Sequence, residues 1–211
     1  MTPRRKTART LRAEMLAGAL AFVPAGFAKQ PAATLKAAYA DDFRLGVAMN
    51  DDIVSGRDGA SQVLTIRHFN AITAENVMKA QVVNPKPGVY DFSAADAFVD
   101  FGRKHGMYVI GHTLVWHNQT PDWFFQDAGG KPNTREAQIE RMRAYIEKVA
   151  GRYKGRVDAW DVVNEVMGED GHYRDTNWVR GVGDGDTLLE HAFEFAPRYA
   201  PVAQLYYNGF N

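Results

Sequence analysis

The residues able to do chemistry in this chain gather at the ends of apolar runs. Trp160-Asp161-Val162-Val163-Asn164-Glu165 is the sharpest case, a hydrophobic stretch that delivers an amide and a carboxyl side by side. Cleaving a glycosidic bond needs a carboxylic acid beside the scissile oxygen. It also needs a donor for the neighbouring sugar 2-OH, whose hydrogen bond strengthens in the transition state. Glu75, Asn76 and Lys79 follow an earlier apolar run, His112, Trp116 and His117 close another, and Asn208 and Asn211 close the last. Such polar groups are costly to bury unless they are paired or bind a ligand. Each has a plainer reading. An Asn-Glu pair after a strand is commonly a loop pair. Glu75 and Lys79 are four apart and could form a helix-surface ion pair. Trp116 and Trp123 could be core residues. Metal ligation by His112 and His117 is disfavoured, because their spacing is not the helical i, i+4 pattern and no cysteine assists. His68, His105, His172 and His191 read as structure or surface. Asp161 alternates with Val162 ahead of the strand end, which predicts a buried hydrogen-bonding role rather than a second catalytic carboxylate.

Regular elements must hold these groups. Phe43 to Met49 reads as a first strand and Leu64 to Ile72 as a second. Pro85, Pro87 and Gly88 mark a loop. A helix starts at Ser93, with Asp96 three residues on in a near capping-box pattern, and stops at Gly106. Met107 to Leu114 is a third strand. A helix starting at Asn133 and Glu136 carries Ile139, Met142, Ile146 and Val149 at helical spacing and ends near Gly151. Val157 to Val163 is a fourth strand. The last helix opens at Thr187 and is ended by Pro197 and Pro201, and Gln204 to Tyr207 is a fifth strand. Alternating strands and helices imply parallel strands with helical crossovers, as in a doubly wound sheet or a (β/α)8 barrel. No Gly-rich nucleotide turn follows the first strand. Polar residues at the C-terminal ends of successive strands favour the barrel.

The composition is globular: 211 residues, 45% hydrophobic, 24% charged, and no cysteine. That excludes disulfide scaffolds, thiolate metal sites and cysteine nucleophiles. Arg4, Arg5, Lys6, Arg9 and Arg12 precede the apolar run Met15–Val23, and Gly26-Phe27-Ala28 offers a small-x-small cleavage site. Residues 1–28 therefore read as a secretory signal cut after Ala28. The run is too short to span a bilayer, which takes roughly 20 residues. Removing the signal leaves 20 basic and 24 acidic residues, a net charge of −4. That disfavours a nucleic-acid partner. A secreted protein of the bacterial periplasm or exterior is expected, with no membrane attachment after cleavage.

Four segments together resemble glycoside hydrolase family 10, the endo-1,4-beta-xylanases. They are Phe69–Lys79, Gly111–Gln119 followed by Pro121-Asp122-Trp123, Trp160–Glu165, and Leu205–Asn208. They appear in family order with family-like spacing, and the likeness covers about Phe43 to Asn211. The resemblance implies a retaining hydrolase on a (β/α)8 TIM barrel that cuts xylan internally, without cofactor or metal. By motif match Glu165 is the general acid/base and Asn164 holds the sugar 2-OH. Glu75, Asn76 and Lys79 bind hydroxyls of the non-reducing-side xylose units. His112 and Trp116 wall the central subsite, with His117 close behind. Two positions depart from the pattern. Ala80 stands where the family usually has Trp, and Gly209 where an acidic or amide residue is common.

A retaining enzyme needs a second carboxyl about 5–5.5 Å from the first. In this family it is a glutamate on strand seven, and Glu190 and Glu194 fall on a helix, outside any matching motif. Residues 29–211 thus read as the first five βα units of the catalytic domain, with no nucleophile assigned. The expectation is an incomplete chain, visible in the DNA downstream of codon 211. A non-catalytic xylan-binding protein, or a related cellulase or mannanase, are the other readings. Alone, the 211-residue chain is expected to show negligible xylanase activity and, with two open sheet edges, poor solubility. Hydrolysis assays and size-exclusion chromatography check both, and an active, monomeric preparation refutes them.

Overall fold

The computed structural model describes residues 34–210. The signal expected in residues 1–28 lies outside them, as does Asn211. A short helix α1 (Leu35–Ala38) leads into strand β1 (Gly46–Met49), helices α2 (Asp51–Ser55) and α3 (Gly59–His68), and strand β2 (Ala71–Ala74). Helices α4 (Ala80–Val83) and α5 (Ser93–Lys104) precede the long strand β3 (Tyr108–Trp116). A 3₁₀ turn at Asp122–Phe125 and helix α6 (Arg135–Arg152) lead to β4 (Ala159–Asn164). Helices α7 (Asn177–Val182) and α8 (Gly185–Tyr199) return the chain to β5 (Gln204–Asn208).

All four strand pairings are parallel, in the order β1-β2-β3-β4-β5. Strand order never reverses. A doubly wound sheet has a reversal, and it places its ligand there. Sequential winding with a helical return after each strand is the arrangement of a barrel wall. Register brings the strand ends level: Met49 lies opposite Ala74, and Trp116, Asn164 and Asn208 stand in one row across β3, β4 and β5. The residues that follow the strands therefore share one rim.

Helices cover the sheet with apolar stripes. Phe98 and Val99 of α5, Met142, Ile146 and Val149 of α6, and Leu188 and Ala192 of α8 are buried in one cluster with Ile72, Val109, Trp160 and Val162. Asp96 of α5 takes Arg152 of α6 at 2.8 Å and Tyr153 at 2.9 Å, tying the two helices. Trp160 is fully buried and lies flat against Gly111 on the adjacent strand, where a Cβ would come within 2.3 Å of the indole.

Four expectations need correction. Leu64–His68 is helix, not strand: Asp58 caps α3 by accepting from the Ser61 amide, and exposed Leu64 next to buried Thr65 fits a helix with one face on the core. Only Ala71–Ala74 is strand. The helix at Ser93 starts as expected, but no capping box forms. Asp91 accepts from the Ser93 amide and hydroxyl, and Asp96 is committed to Arg152. Pro197 does not end α8. It lies inside the last turn, where buried Leu188, Ala192, Phe195 and Ala196 hold the helix to the core and outweigh one missing backbone bond. The helix expected from Asn133 begins at Arg135, with Thr134 as its cap.

Gly111→Ala forces a methyl into the Trp160 ring. Overpacking of this kind costs typically about 1–3 kcal/mol, to be read as a lower urea midpoint, and an unchanged midpoint would show that the indole moves aside freely.

Candidate active site

The rim at the ends of β2, β3, β4 and β5 carries the site. Asn164, the last residue of β4, is buried, and its Oδ1 accepts from Asn208 Nδ2 at 2.7 Å. With that oxygen engaged, its Nδ2 is the arm left to donate. Glu165 follows in a left-handed conformation (φ 55°). For a non-glycine residue this costs roughly 1–3 kcal/mol and is retained where the surroundings over-determine it. Its amide donates to the Asn208 carbonyl at 2.8 Å, and its Oε2 accepts the Trp116 indole N–H at 3.0 Å. The turn rotates the carboxyl out of the strand's alternation. The indole holds one oxygen and leaves the other for a proton and a ligand.

Trp116 is itself fixed. Its carbonyl accepts from the Thr120 hydroxyl at 2.7 Å and from the Trp178 indole at 3.1 Å. Its ring carries the Lys79 ammonium 4.0 Å above the centroid. Such a cation–π contact contributes about 0.5–2 kcal/mol, more when water is excluded. Lys79 is 5% exposed, at the start of α4. Burial pulls its ammonium down to about 8, against the opposing pull of Glu165, Asp161 and Glu75.

His112 Nδ1 lies 2.8 Å from Asp161 Oδ2, and the His112 ring is 6.3 Å from that of Trp116. Asp161 thus orients a histidine, in line with the hydrogen-bonding role its position implied. His117 packs edge-on to Trp116 at 5.9 Å. Burial lowers the pKa of its ring, as does the nearby Arg174, while Glu165 opposes both, so it is neutral at pH 7. His117 and Glu165 line one open hollow with Tyr173 and Arg174. Glu75 and Asn76 are exposed on the same rim, Asn76 Oδ1 accepting from Gln119 Nε2 at 3.2 Å.

Of the residues given a catalytic or binding role by the resemblance, Glu75, Asn76, Lys79, Trp116, Asn164 and Glu165 lie along this rim, His112 sits behind it within β3, and Lys79, Trp116 and Glu165 form one contiguous chain of contacts. The helix-surface pairing of Glu75 with Lys79 does not occur, because Glu75 is exposed in a turn while Lys79 points into the site. Trp123 packs against Phe124 with ring centroids 4.2 Å apart, as a core residue. Ala80 is buried at the start of α4. Among the described residues no cluster of His, Asp and Glu could hold a metal ion, and no helix is long and apolar enough to cross a membrane. Sequence reading gave no part to Trp178, Thr120 or Gln119, and marked Asn208 only as a polar strand end. Trp178 and Gln119 reach partners 62 and 43 positions away, which no local pattern announces, while Thr120 closes a local bond to the Trp116 carbonyl. Gln119 and Asn208 left a trace, each as the last residue of a matched segment.

The fold and rim together define part of a (β/α)8 barrel with its polar site at the C-terminal ends of the strands. Residues 34–211 match the family model of glycosyl hydrolase family 10, and the chain belongs to that family. It is 43% identical over 180 residues to endo-1,4-beta-xylanase B of Paenibacillus barcinonensis, covering 84% of this chain and 52% of that protein. It is 42% identical over 193 residues to the beta-1,4-xylanase of Dictyoglomus thermophilum, covering 88% and 51%. Among solved structures, a GH10 endoxylanase from a sugarcane soil metagenome superposes with a TM-score of 0.80 at 42% identity, covering 84% of this chain and 51% of that one. A mutant solved in complex with xylotriose superposes with a TM-score of 0.78 at 39% identity, covering 85% and 53%. The chain spans about half the length of the curated relatives it matches.

The buried ammonium sets a pH dependence of stability. Below pH 8 both folded and unfolded chains hold the Lys79 proton, and the folded chain carries the full cost of burying the charge. Between about 8 and 10.5 the folded form releases the proton and the unfolded form keeps it, so stability rises with pH. Urea titrations of the wild type and Lys79→Met should converge across that window, and a constant difference would contradict the assignment.

Proposed function

We propose that the chain forms the acid/base half of an endo-1,4-beta-xylanase that hydrolyses internal xylan linkages with retention of configuration. The observation that carries this reading is Glu165. It is held in a left-handed turn between the Asn208 carbonyl and the Trp116 indole, beside a buried amide. A carboxyl with one oxygen anchored and the other open can place its proton on a leaving glycosidic oxygen. It can then take a proton from the water that attacks in the second step. Asn164 Nδ2 donates to the sugar 2-OH, Trp116 and His112 wall the sugar bound next to the break, and Lys79, Glu75 and Asn76 bind hydroxyls further along. Lys79 stays protonated at neutral pH, because its ammonium titrates only near 8. It therefore binds as a cation. The second carboxyl of the retaining pair has no residue assigned in these units. Family membership and the xylanases among its relatives support xylan over cellulose or mannan as the polymer.

The same reading makes the protein an exported one, with residues 1–28 as its signal. Mass spectrometry of the exported species is expected to show a chain beginning at Lys29.

Catalysis is tested by joining this chain to the C-terminal units of the Paenibacillus barcinonensis relative. The chimera is expected to hydrolyse xylan well above cellulose and mannan, and proton NMR should show the β-anomer first. Glu165→Gln should lower kcat by about 10²–10⁴-fold. A folded chimera indifferent to that change, or one releasing the α-anomer first, would overturn the assignment.

A further inference from the structure

The Asn164 amide is useful to a ligand only one way round. Its side chain is 2% exposed, at the last position of β4. An amide has an oxygen that only accepts and a nitrogen that only donates, and the two ends have nearly the same shape. Packing therefore does not choose between them. A hydrogen-bond partner must.

Asn208 is that partner. It stands directly opposite Asn164 in the register of β4 and β5, so both side chains leave the sheet on one face. Asn208 Nδ2 donates to Asn164 Oδ1 at 2.7 Å. Trp116, the neighbour on the other side of the row, spends its indole N–H on Glu165 Oε2. Among the described residues Asn164 Nδ2 makes no hydrogen bond, and it is not one of the side-chain nitrogens sealed from solvent without a partner. It is an open donor on a side chain that is otherwise buried. Leaving such a donor unpaired is unfavourable unless a ligand comes to accept from it.

The Asn208 main chain has a separate task. Its carbonyl accepts the Glu165 amide at 2.8 Å. The two tasks fall on different atoms. The Asn208 side chain is also exposed, on the edge strand and outside the core. It can be changed without opening a cavity and without removing the bond that holds the turn at Glu165.

We propose that the Asn208 side chain is a positioning residue for recognition of the sugar 2-hydroxyl. By donating to Asn164 Oδ1 it fixes the amide with its nitrogen toward the ligand, and the site then favours a sugar with a hydroxyl there to accept from it. The orientation rests on the contacts around Asn164. The identity of the ligand atom rests on the proposed function.

Asn208→Asp reverses the demand. A carboxylate can only accept, so Asn164 must turn its nitrogen toward position 208 and its oxygen toward the sugar. Asn208→Leu removes the donor at similar size and leaves the amide free to sit either way. The chimera is assayed on two aryl β-xylobiosides, one intact and one with the 2-hydroxyl of the reacting xylose replaced by hydrogen. The readout is the ratio of their kcat/KM values, compared between variant and wild type. Intrinsic reactivity cancels in that comparison, as does any loss common to both substrates, including the effect of a new charge near Glu165. Asn208→Asp is expected to lower the intact-to-deoxy ratio at least about ten-fold, and Asn208→Leu by a smaller factor. With Asn164→Ala already present, neither change should move the ratio further. Equal losses on both substrates would make Asn208 merely structural and overturn the proposal. An unchanged or higher ratio in Asn208→Asp overturns it too, since that is the result if Asn164 donates to Asn208. The orientation is read separately in the isotopically labelled 211-residue chain, where no turnover is needed. There Asn164→Ala should move one Asn208 side-chain amide proton upfield, because it loses its acceptor. A chimera inactive on both substrates defeats the proposed function, and a still Asn208 resonance defeats the positioning role whatever the activity.

Discussion

The level register of β3, β4 and β5 is the constraint on which the site depends. Trp116, Asn164 and Asn208 occupy one row of the sheet, so the first residue beyond each strand emerges at the same height. In a parallel sheet the side-chain period is two, and a one-residue slip would turn every rim residue to the other face. Asn208 holds the row from both sides. Its carbonyl takes the Glu165 amide and its side chain takes the Asn164 oxygen. The left-handed turn at Glu165 is tolerable because these bonds leave the backbone no better choice.

Around that row the structure spends polar groups in pairs. His112 is matched by Asp161, Asn76 by Gln119, and the Trp116 carbonyl by Thr120 and Trp178. Lys79 is the exception, a buried cation with an aromatic face beneath it and carboxylates at longer range. A lone buried ammonium is poorly compensated in the absence of hydroxyls to bind. Its position on the rim, rather than in the helix packing, is consistent with a group kept for a ligand.

Much of this was legible in the chain itself. Val157–Val163 and Met107–Leu114 are apolar runs without competing helical signals, and both became strands within two residues of their expected ends. The polar residues after them followed, because alternation places a strand-end residue predictably. Leu64–His68 was misread because isolated β-branched residues say nothing of burial: Asp58 capped a helix there, and no core required a strand. Pro197 was misread because a local penalty was weighed without the packing that overrides it. Trp178 was invisible for a different reason. Its value lies in a bond to a carbonyl 62 positions earlier, and only the folded chain brings the two together.

The sequential strand order bears on how such a wall is assembled. Each strand pairs with the one just before it in the chain, so most sheet contacts close loops of a few tens of residues rather than joining distant ends. Loop-closure entropy is modest at that range, and topologies of this kind reach their transition states without long searches. A chain emerging from the ribosome can dock each new βα unit on the edge left by the last. The wall can grow in the direction of synthesis, with the row at Trp116, Asn164 and Asn208 completed only when β5 arrives.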